Sequence, residues 1–222
     1  MLKDIKAIIF DIDGTLIDSM GVWSDIDDIF LEKYGLEEPE GFHEGMEGKS
    51  YSETAQYFLD LFPTLTHTKE ELEQEWHEMA YEFYATKLKL KPGAFDFIKA
   101  MYENGMKLGI ATSNNRDLAE AALVNNGVNK YMSSIWTACE AKAGKPNPAV
   151  YLCVAKDLGV EPANCLVFED VPMGILAGKN AGMKVCAVDD KFSAAQEDKK
   201  RKLADYYIKD YNDIKNKTYE VL

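Results

Sequence analysis

Residues 10–15, with the sequence FDIDGT, decide the fold of this chain. The apolar residues 7–10 lead into Asp11 and Asp13, and Gly14 follows directly. This pattern predicts a buried strand that ends at the aspartates, because glycine lets the chain turn sharply. Open α/β sheets carry their chemistry at the carboxyl ends of such strands. The two carboxylates therefore predict a site for a divalent cation and a transferring phosphoryl group. Taken alone, the segment leaves an ordinary acidic turn open as the alternative.

Three later segments are LGIATSN (108–114), GKPNP (144–148) and LVFEDVPMG (166–174). The first and third are apolar runs that end in polar residues, as expected for strands that end at the same sheet edge. With FDIDGT, the segments resemble the four motifs of the haloacid dehalogenase superfamily, in the same order. This resemblance spans nearly the whole chain.

The fold class that follows is α/β. We expect a three-layer, doubly wound parallel sheet, a Rossmann-like core, with an inserted α-helical cap domain. After residue 92, short apolar strands alternate with helical patterns, which indicates parallel βαβ units. Residues 19–90 show helical spacing without strands. The predicted division is therefore a catalytic core of residues 1–18 and 91–222 and a cap of residues 19–90, as in the subgroup that includes β-phosphoglucomutase and many sugar-phosphate phosphatases.

The local patterns also place individual elements. The predicted strands in the second part of the chain cover 107–111, 134–137, 166–168, 184–188 and 206–208, and the predicted helices cover 117–126, 148–158 and 174–181. In the cap, Ser50 with Glu53 and Thr68 with Glu71 have the spacing of capping boxes that open helices. The charged run 197–202 is predicted to be a solvated helix face.

Composition excludes several kinds of partner. The chain has 222 residues, 46% hydrophobic and 28% charged, with a net charge of −13. This charge would repel nucleic acid and anionic membranes. No apolar run approaches the roughly 20 residues that span a bilayer. The N-terminus leads straight into the first strand, unlike a signal peptide. The four cysteines lack CxxC spacing and are expected to be reduced core thiols. We expect a cytoplasmic monomer whose partner is a small phosphorylated metabolite.

The resemblance implies a role for each motif residue. Asp11 would be the nucleophile that forms an aspartyl phosphate, and Asp13 the general acid and base. Mg²⁺ would be the cofactor, because the motifs supply hard oxygen ligands. Its expected ligands are Asp11, the backbone carbonyl of Asp13, Asp170, and Glu169 either directly or through water. The residues expected to bind phosphate are Thr15, Thr112, Ser113, Asn114 and Lys145.

The chain departs from the resemblance where substrate is selected. Mutases of the β-phosphoglucomutase type carry a cap histidine ten residues after the acid/base aspartate, where this chain has Trp23. They also carry a cap-loop arginine, whose position is closest to Tyr51, with Lys49 the only cation nearby. Lys49 and Tyr51 are therefore the predicted substrate-selecting residues of the loop 45–53. Trp23 is expected to pack in the cap, with a position facing the cleft as the alternative.

These departures favour a Mg²⁺-dependent phosphatase that hydrolyses small phosphate monoesters, such as sugar or polyol phosphates. The first alternative is a phosphosugar mutase. Another class is a non-catalytic phospho-accepting or binding protein. Signalling receivers also use an acidic pair, a Ser or Thr, a Lys and Mg²⁺, but they lack a helical insert after the first strand. A binding protein would be expected to lack a motif residue, and none is missing here.

Overall fold

A seven-stranded sheet forms the centre of the computed structural model, which describes residues 1–222. The strand order is β3-β2-β1-β4-β5-β6-β7, and all neighbours are parallel except β6 and β7. The strands are β1 (Ala7–Phe10), β2 (Lys107–Thr112), β3 (Ser134–Thr137), β4 (Cys165–Glu169), β5 (Lys184–Val188), β6 (Tyr206–Ile208) and β7 (Glu220–Val221). The predicted α/β fold class is confirmed.

The first strand lies at the centre of the sheet, where the strand order changes direction. Phe10 at its end pairs with Ile110 on β2 and with Phe168 on β4. Alternate residues of β1 pack on opposite faces, with Ile8 in one apolar cluster and Ile9 in the other. The carboxyl ends of β1, β2 and β4 therefore meet at one edge, which is the usual binding position in open α/β sheets.

Residues 19–90, the predicted cap, contain helices and no strand. They are α1 (Met20–Tyr34), α2 (Phe42–Met46), α3 (Tyr51–Leu61), α4 (Lys69–Glu82) and a π-helical turn (Phe83–Lys87). Both predicted capping boxes form, at the starts of α3 and α4. The helices pack around aromatic side chains: Phe58 contacts Phe30, Phe42 and Trp76 edge to face.

The two connections between this helical segment and the sheet lie side by side. Ile17 forms an antiparallel bridge with Leu90, and the Asp18 amide donates to the Lys89 carbonyl at 3.1 Å. Just beyond, the Lys91 ammonium is buried and donates to Asp190 Oδ2 at 2.8 Å. The two connecting segments are therefore held together, and the second is anchored on the loop after β5.

The remaining helices cover both faces of the sheet. They are α5 (Ala94–Glu103), α6 (Arg116–Asn125), α7 (Ala149–Leu158), α8 (Pro172–Asn180), α9 (Glu197–Leu203) and α10 (Asn212–Asn216). None of the helices in the structure is both long enough and apolar enough to cross a membrane.

The structure corrects three local predictions. The run 197–202 is not fully solvated, because Lys200 is buried and its ammonium donates to Ser193 Oγ at 2.9 Å. Burial lowers the pKa of this lysine. Cys139 is exposed rather than part of the core. Finally, β7 adds an antiparallel strand at the sheet edge, beyond the predicted parallel strands.

Candidate active site

Lys145 joins the ends of β1 and β4. Its Nζ donates to Asp11 Oδ1 at 2.6 Å and to Glu169 Oε1 at 2.5 Å. Glu169 accepts two more hydrogen bonds. The Tyr151 hydroxyl donates to the same Oε1 at 2.7 Å, and the Asp170 amide donates to Oε2 at 3.0 Å. All these groups are buried. The predicted phosphate-binding lysine thus lies against the predicted nucleophile.

Asp170 completes a buried acidic group at the same edge. Its Oδ1 accepts a hydrogen bond from Thr15 Oγ1 at 2.9 Å. Gly14, at φ +72°, passes so close to this carboxylate that any Cβ would overlap it. Thr15 was predicted to bind phosphate, but its only side-chain hydrogen bond in the structure orients Asp170. Only glycine fits the turn that brings the first motif over the fourth.

The charges of this group are not balanced within the protein. One ligand oxygen from each of Asp11, Glu169 and Asp170 lies within 4.8 Å of the others. Lys145 is the one cation in contact with them. Burial raises the pKa of Asp11 to about 7, with Glu169 and Asp13 adding to the rise and Lys145 opposing it. Burial, together with Glu169 and Asp11, raises the pKa of Asp170 well above its ordinary value.

This excess of buried negative charge fits a divalent cation. All the donors are carboxylate oxygens, which suit Mg²⁺ better than zinc. Asp11 and Asp170 are the residues that would hold it, with the Asp13 carbonyl as the predicted third ligand. Both oxygens of Glu169 already accept hydrogen bonds from Lys145, Tyr151 and backbone amides. Glu169 was expected to bind the metal either directly or through water, and this arrangement favours contact through water.

The end of β2 supplies the predicted phosphate-binding groups. Thr112 is buried, and its Oγ1 accepts a hydrogen bond from the Asn114 amide at 3.1 Å. Ser113 Oγ is buried without any hydrogen-bond partner in the chain, and the role of Ser113 in phosphate binding stays a prediction. Asn114 is occupied differently, because its side chain contacts Asp13 instead of lying free beside Asp11.

Asp13 is surrounded by neutral donors. Ser19 Oγ donates to its Oδ1 at 2.6 Å, the Tyr84 hydroxyl donates to the same oxygen, and Asn114 Nδ2 donates to Oδ2 at 2.8 Å. Trp23 Nε1 donates to the Tyr84 hydroxyl at 2.7 Å. Burial and the nearby Asp13 raise the pKa of Tyr84 well above its ordinary value. The two aspartates of the first motif thus have different surroundings, one charged and one neutral.

The cap loop 45–53 is in direct contact with the third motif. Gly48 has φ +80°, and a Cβ there would lie 2.5 Å from the Lys145 carbonyl. Glu47 Oε1 accepts from the Met173 amide near the start of α8 at 3.0 Å, and its Oε2 accepts from Gln196 Nε2 at 2.8 Å. The predicted cap therefore contacts the sheet edge through this loop.

The two predicted substrate-selecting residues do not reach the carboxylates. Lys49 Nζ lies 5.6 Å from the centroid of the Tyr57 ring. The Tyr51 hydroxyl donates to the Glu73 carbonyl at 3.3 Å, inside the cap, and its ring lies 6.2 Å from that of Trp23. The Tyr51 amide donates to the Ser113 carbonyl at 2.9 Å. Their role in substrate selection stays a prediction.

Sequence reasoning missed Ser19, Tyr84 and Tyr151. Ser19 lies six residues after Asp13, at the start of α1, and its helix-start position gave only a structural signal. Tyr84 and Tyr151 lie on apolar helical stripes, where an aromatic residue usually belongs to the core. Trp23 packs against aromatic side chains of the predicted cap, as expected, and its indole nitrogen also donates to the Tyr84 hydroxyl beside Asp13.

Comparisons with known proteins agree with this geometry. The model of the haloacid dehalogenase-like hydrolase family matches residues 8–188. The chain is 33% identical to a putative phosphatase, YhcW, from Bacillus subtilis, over 84% of each chain. It is 28% identical to a phosphorylated carbohydrates phosphatase from Thermotoga maritima, over 81% of this chain and 83% of that one.

A solved structure has the same fold. It is the crystal structure of a β-phosphoglucomutase from Clostridium difficile, with a TM-score of 0.79. The sequence identity is 24%, and the match covers 96% of this chain and 95% of that chain. At this identity the likeness concerns the arrangement of the sheet and helices.

Proposed function

The chain belongs to the haloacid dehalogenase-like hydrolase family, and we propose that it is a Mg²⁺-dependent phosphatase for small phosphate monoesters. The observation that carries this proposal is the ammonium of Lys145 between Asp11 and Glu169, with Asp170 beside them. A buried lysine and an oxygen-rich site suit a dianionic phosphoryl group, whose charge must be neutralised during transfer. Mg²⁺, when bound, would neutralise charge on the phosphoryl oxygens.

Asp11 is the proposed nucleophile. Lys145 engages its Oδ1, and the other carboxylate oxygen accepts no hydrogen bond within the chain. Attack on phosphorus forms an Asp11–phosphorus bond and breaks the bond to the leaving oxygen, which takes a proton from Asp13. In the second step, water attacks phosphorus and gives a proton to Asp13, and the bond between Asp11 and phosphorus breaks. Inorganic phosphate leaves, and both aspartates return to their starting states.

The leaving-group side favours a small, uncharged alcohol such as a sugar or polyol. Asp13 is surrounded there by the hydroxyls of Ser19 and Tyr84 and the amide of Asn114, with the Trp23 ring behind them. No lysine or arginine contacts these groups. A second phosphate on the substrate would therefore lack a cation to pair with, which is why we propose hydrolysis rather than phosphosugar mutation.

Two variants test the mechanism. Asp11→Asn should abolish turnover of every substrate, because no phosphoenzyme can form. Asp13→Asn should slow alkyl phosphates by roughly 10²–10⁴-fold, because their leaving groups need a proton. Aryl phosphates should retain a fast first step, and the phosphoenzyme should accumulate and be visible by mass spectrometry after a rapid quench. Equal losses for aryl and alkyl esters, with no phosphoenzyme, would contradict the assigned roles.

A substrate panel tests the reaction type. We expect release of inorganic phosphate from hexose, pentose and polyol phosphates in Mg²⁺ and none in EDTA. Conversion of β-glucose 1-phosphate to glucose 6-phosphate faster than phosphate release would favour the mutase instead. A cytoplasmic location and a monomeric state stay predictions from the sequence.

A further inference from the structure

We propose that Tyr84 is a positioning residue that holds the Asp13 carboxylate for proton transfer. This inference rests on the proposed function, in which Asp13 is the general acid and base. Tyr84 lies in the π-helical turn at the end of the cap, 71 residues from Asp13 in the chain, and it is fully buried. Its hydroxyl lies beside the carboxylate and not beside the nucleophile Asp11.

The backbone around Tyr84 continues from α4 and is also hydrogen-bonded to the end of α6. Asn125, at the end of α6, donates through Nδ2 to the Leu88 carbonyl at 3.0 Å and to the Tyr84 carbonyl at 3.4 Å. Asn126 Nδ2 also donates to the Leu88 carbonyl, at 3.1 Å. Tyr84 is therefore held both by the helix that precedes it and by α6, and its hydroxyl lies beside Asp13.

The direction of the Tyr84 hydroxyl proton follows from its neighbours. The Asn115 amide donates to Asn114 Oδ1 at 2.6 Å, so Asn114 must present its Nδ2 group to the other side. That Nδ2 lies 2.9 Å from the Tyr84 oxygen, and Trp23 Nε1 lies 2.7 Å from it. Both nitrogens can only donate. Asp13 is thus the acceptor that remains for the single proton of Tyr84.

The orientation of the Asp13 carboxylate is therefore set by hydrogen bonds to both of its oxygens. Oδ1 accepts from Tyr84 and Ser19, and Oδ2 accepts from Asn114. A general acid must keep its oxygen within hydrogen-bond reach of the leaving group. Without the Tyr84 hydroxyl, Trp23 and Asn114 would lose their shared acceptor, and Asp13 would be held by Ser19 and Asn114 alone.

The test is Tyr84→Phe, which removes the hydroxyl and keeps the ring. A hydrogen bond to a charged group is typically worth enough for a roughly 10- to 100-fold effect. For glycerol phosphate we expect kcat to fall by this factor, while KM stays within about twofold of the wild-type value. For 4-nitrophenyl phosphate we expect the single-turnover rate of 4-nitrophenol release to fall by less than about threefold. The aryl leaving group needs little help from Asp13, so the split reports on Asp13 and not on folding.

Tyr34→Phe is the matched control. Tyr34 is also a cap tyrosine whose hydroxyl donates to a carboxylate, that of Glu75 at 2.9 Å, away from the sheet edge. The Tyr34→Phe enzyme should have wild-type rates on both substrates. Trp23→Phe, which removes one of the two donors to Tyr84, should give a smaller loss with the same preference for alkyl substrates. It also tests the inference if Tyr84→Phe does not fold.

The outcomes separate this inference from the proposed function. If the wild type releases no phosphate from either substrate, the proposed function fails. If the wild type is active and Tyr84→Phe matches it on both substrates, or loses both equally, the positioning role is wrong while the phosphatase stands. A rise in KM with unchanged kcat would also overturn it, because it would place the hydroxyl on the substrate. If Tyr84→Phe does not fold, the Trp23→Phe enzyme decides. A Trp23→Phe enzyme that shows no selective loss on alkyl phosphates would also overturn the positioning role.

Discussion

Replacing Lys145 by methionine is expected to destabilise the protein in a way that depends on pH and on metal. The lysine side chain is 2% exposed and lies between Asp11 and Glu169, which are 9% and 0% exposed. Methionine has similar length but no charge. The substitution leaves three buried carboxylates, those of Asp11, Glu169 and Asp170, without a cation in contact with them.

The magnitude follows from this burial. Removing one partner of a buried ion pair typically costs about 3–5 kcal/mol. For a chain of this size, 1 kcal/mol corresponds to about 2–4 °C, so the melting temperature should fall by roughly 10 °C in EDTA.

The sign of the pH dependence follows from Asp11. Its folded-state pKa is about 7, raised from 3.8 by burial while Lys145 opposes the rise. A raised carboxyl pKa contributes stability at low pH that is lost as pH rises through the folded-state value. Without Lys145 this value rises further, so the Asp11 contribution continues to lower the stability of the variant above pH 7, where the same contribution no longer changes in the wild type. The deficit should be larger at pH 8.5 than at pH 6.

Thermal unfolding followed by circular dichroism, with EDTA or with Mg²⁺, checks this expectation. Lys179→Met is the control, because Lys179 pairs with Asp205 at 2.8 Å but the two side chains are 35% and 26% exposed. A pair that is this accessible to solvent is typically worth less than about 1 kcal/mol. Mg²⁺ should restore part of the stability of Lys145→Met only. A Lys145→Met protein that melts like the control at pH 8.5 would refute the reasoning.

Three further changes have distinct expected results. Burial, together with Asp28 and Glu38, raises the pKa of Asp27 to about 7. Asp27→Asn should therefore raise the melting temperature at pH 8 but not at pH 4, where the carboxyl is protonated in the folded protein. Equal shifts of the melting temperature at both pH values would contradict this. Gly174→Ala should lower kcat at least about tenfold, because its Cβ would overlap the Glu169 carboxylate that holds Lys145; steady-state kinetics of a folded variant with wild-type kcat would show that the carboxylate can shift freely. Lys49→Ala should change the ranking of substrates more than the rate on a small aryl phosphate; a uniform loss across the panel would assign the loop to closure or folding.

The sequence predicted the sheet edge well because its signals are local. Three of the four motifs combine an apolar run with a polar end, and parallel strands bring such ends together whatever the loops do. Lys145 lies in the loop between β3 and α7, and it was the order of the motifs that assigned it to the same edge as Asp11, 134 positions away. The capping boxes at Ser50 and Thr68 are also local, since four consecutive residues contain all the groups involved.

The parts that were not predicted depend on tertiary packing. The burial of Lys200 cannot be read from a charged run, because it is the Ser193 hydroxyl and the Val188 carbonyl that accept its hydrogen bonds. The contact of Thr15 with Asp170 joins residues 155 positions apart. Tyr84 gave no signal at all, since an aromatic residue on a helical stripe looks the same whether its hydroxyl faces solvent or a buried carboxylate.

The proposed division of labour between the two aspartates follows from what surrounds each. Asp11 is buried against an ammonium, which opposes the effect of burial and favours the ionised form that a nucleophile needs. Asp13 is less buried and contacts only neutral donors. A group that gives and then takes a proton would be hindered by a fixed cation, because the cation would hold it in one charge state. Two carboxyls one residue apart can therefore perform different steps because the fold gives them different neighbours.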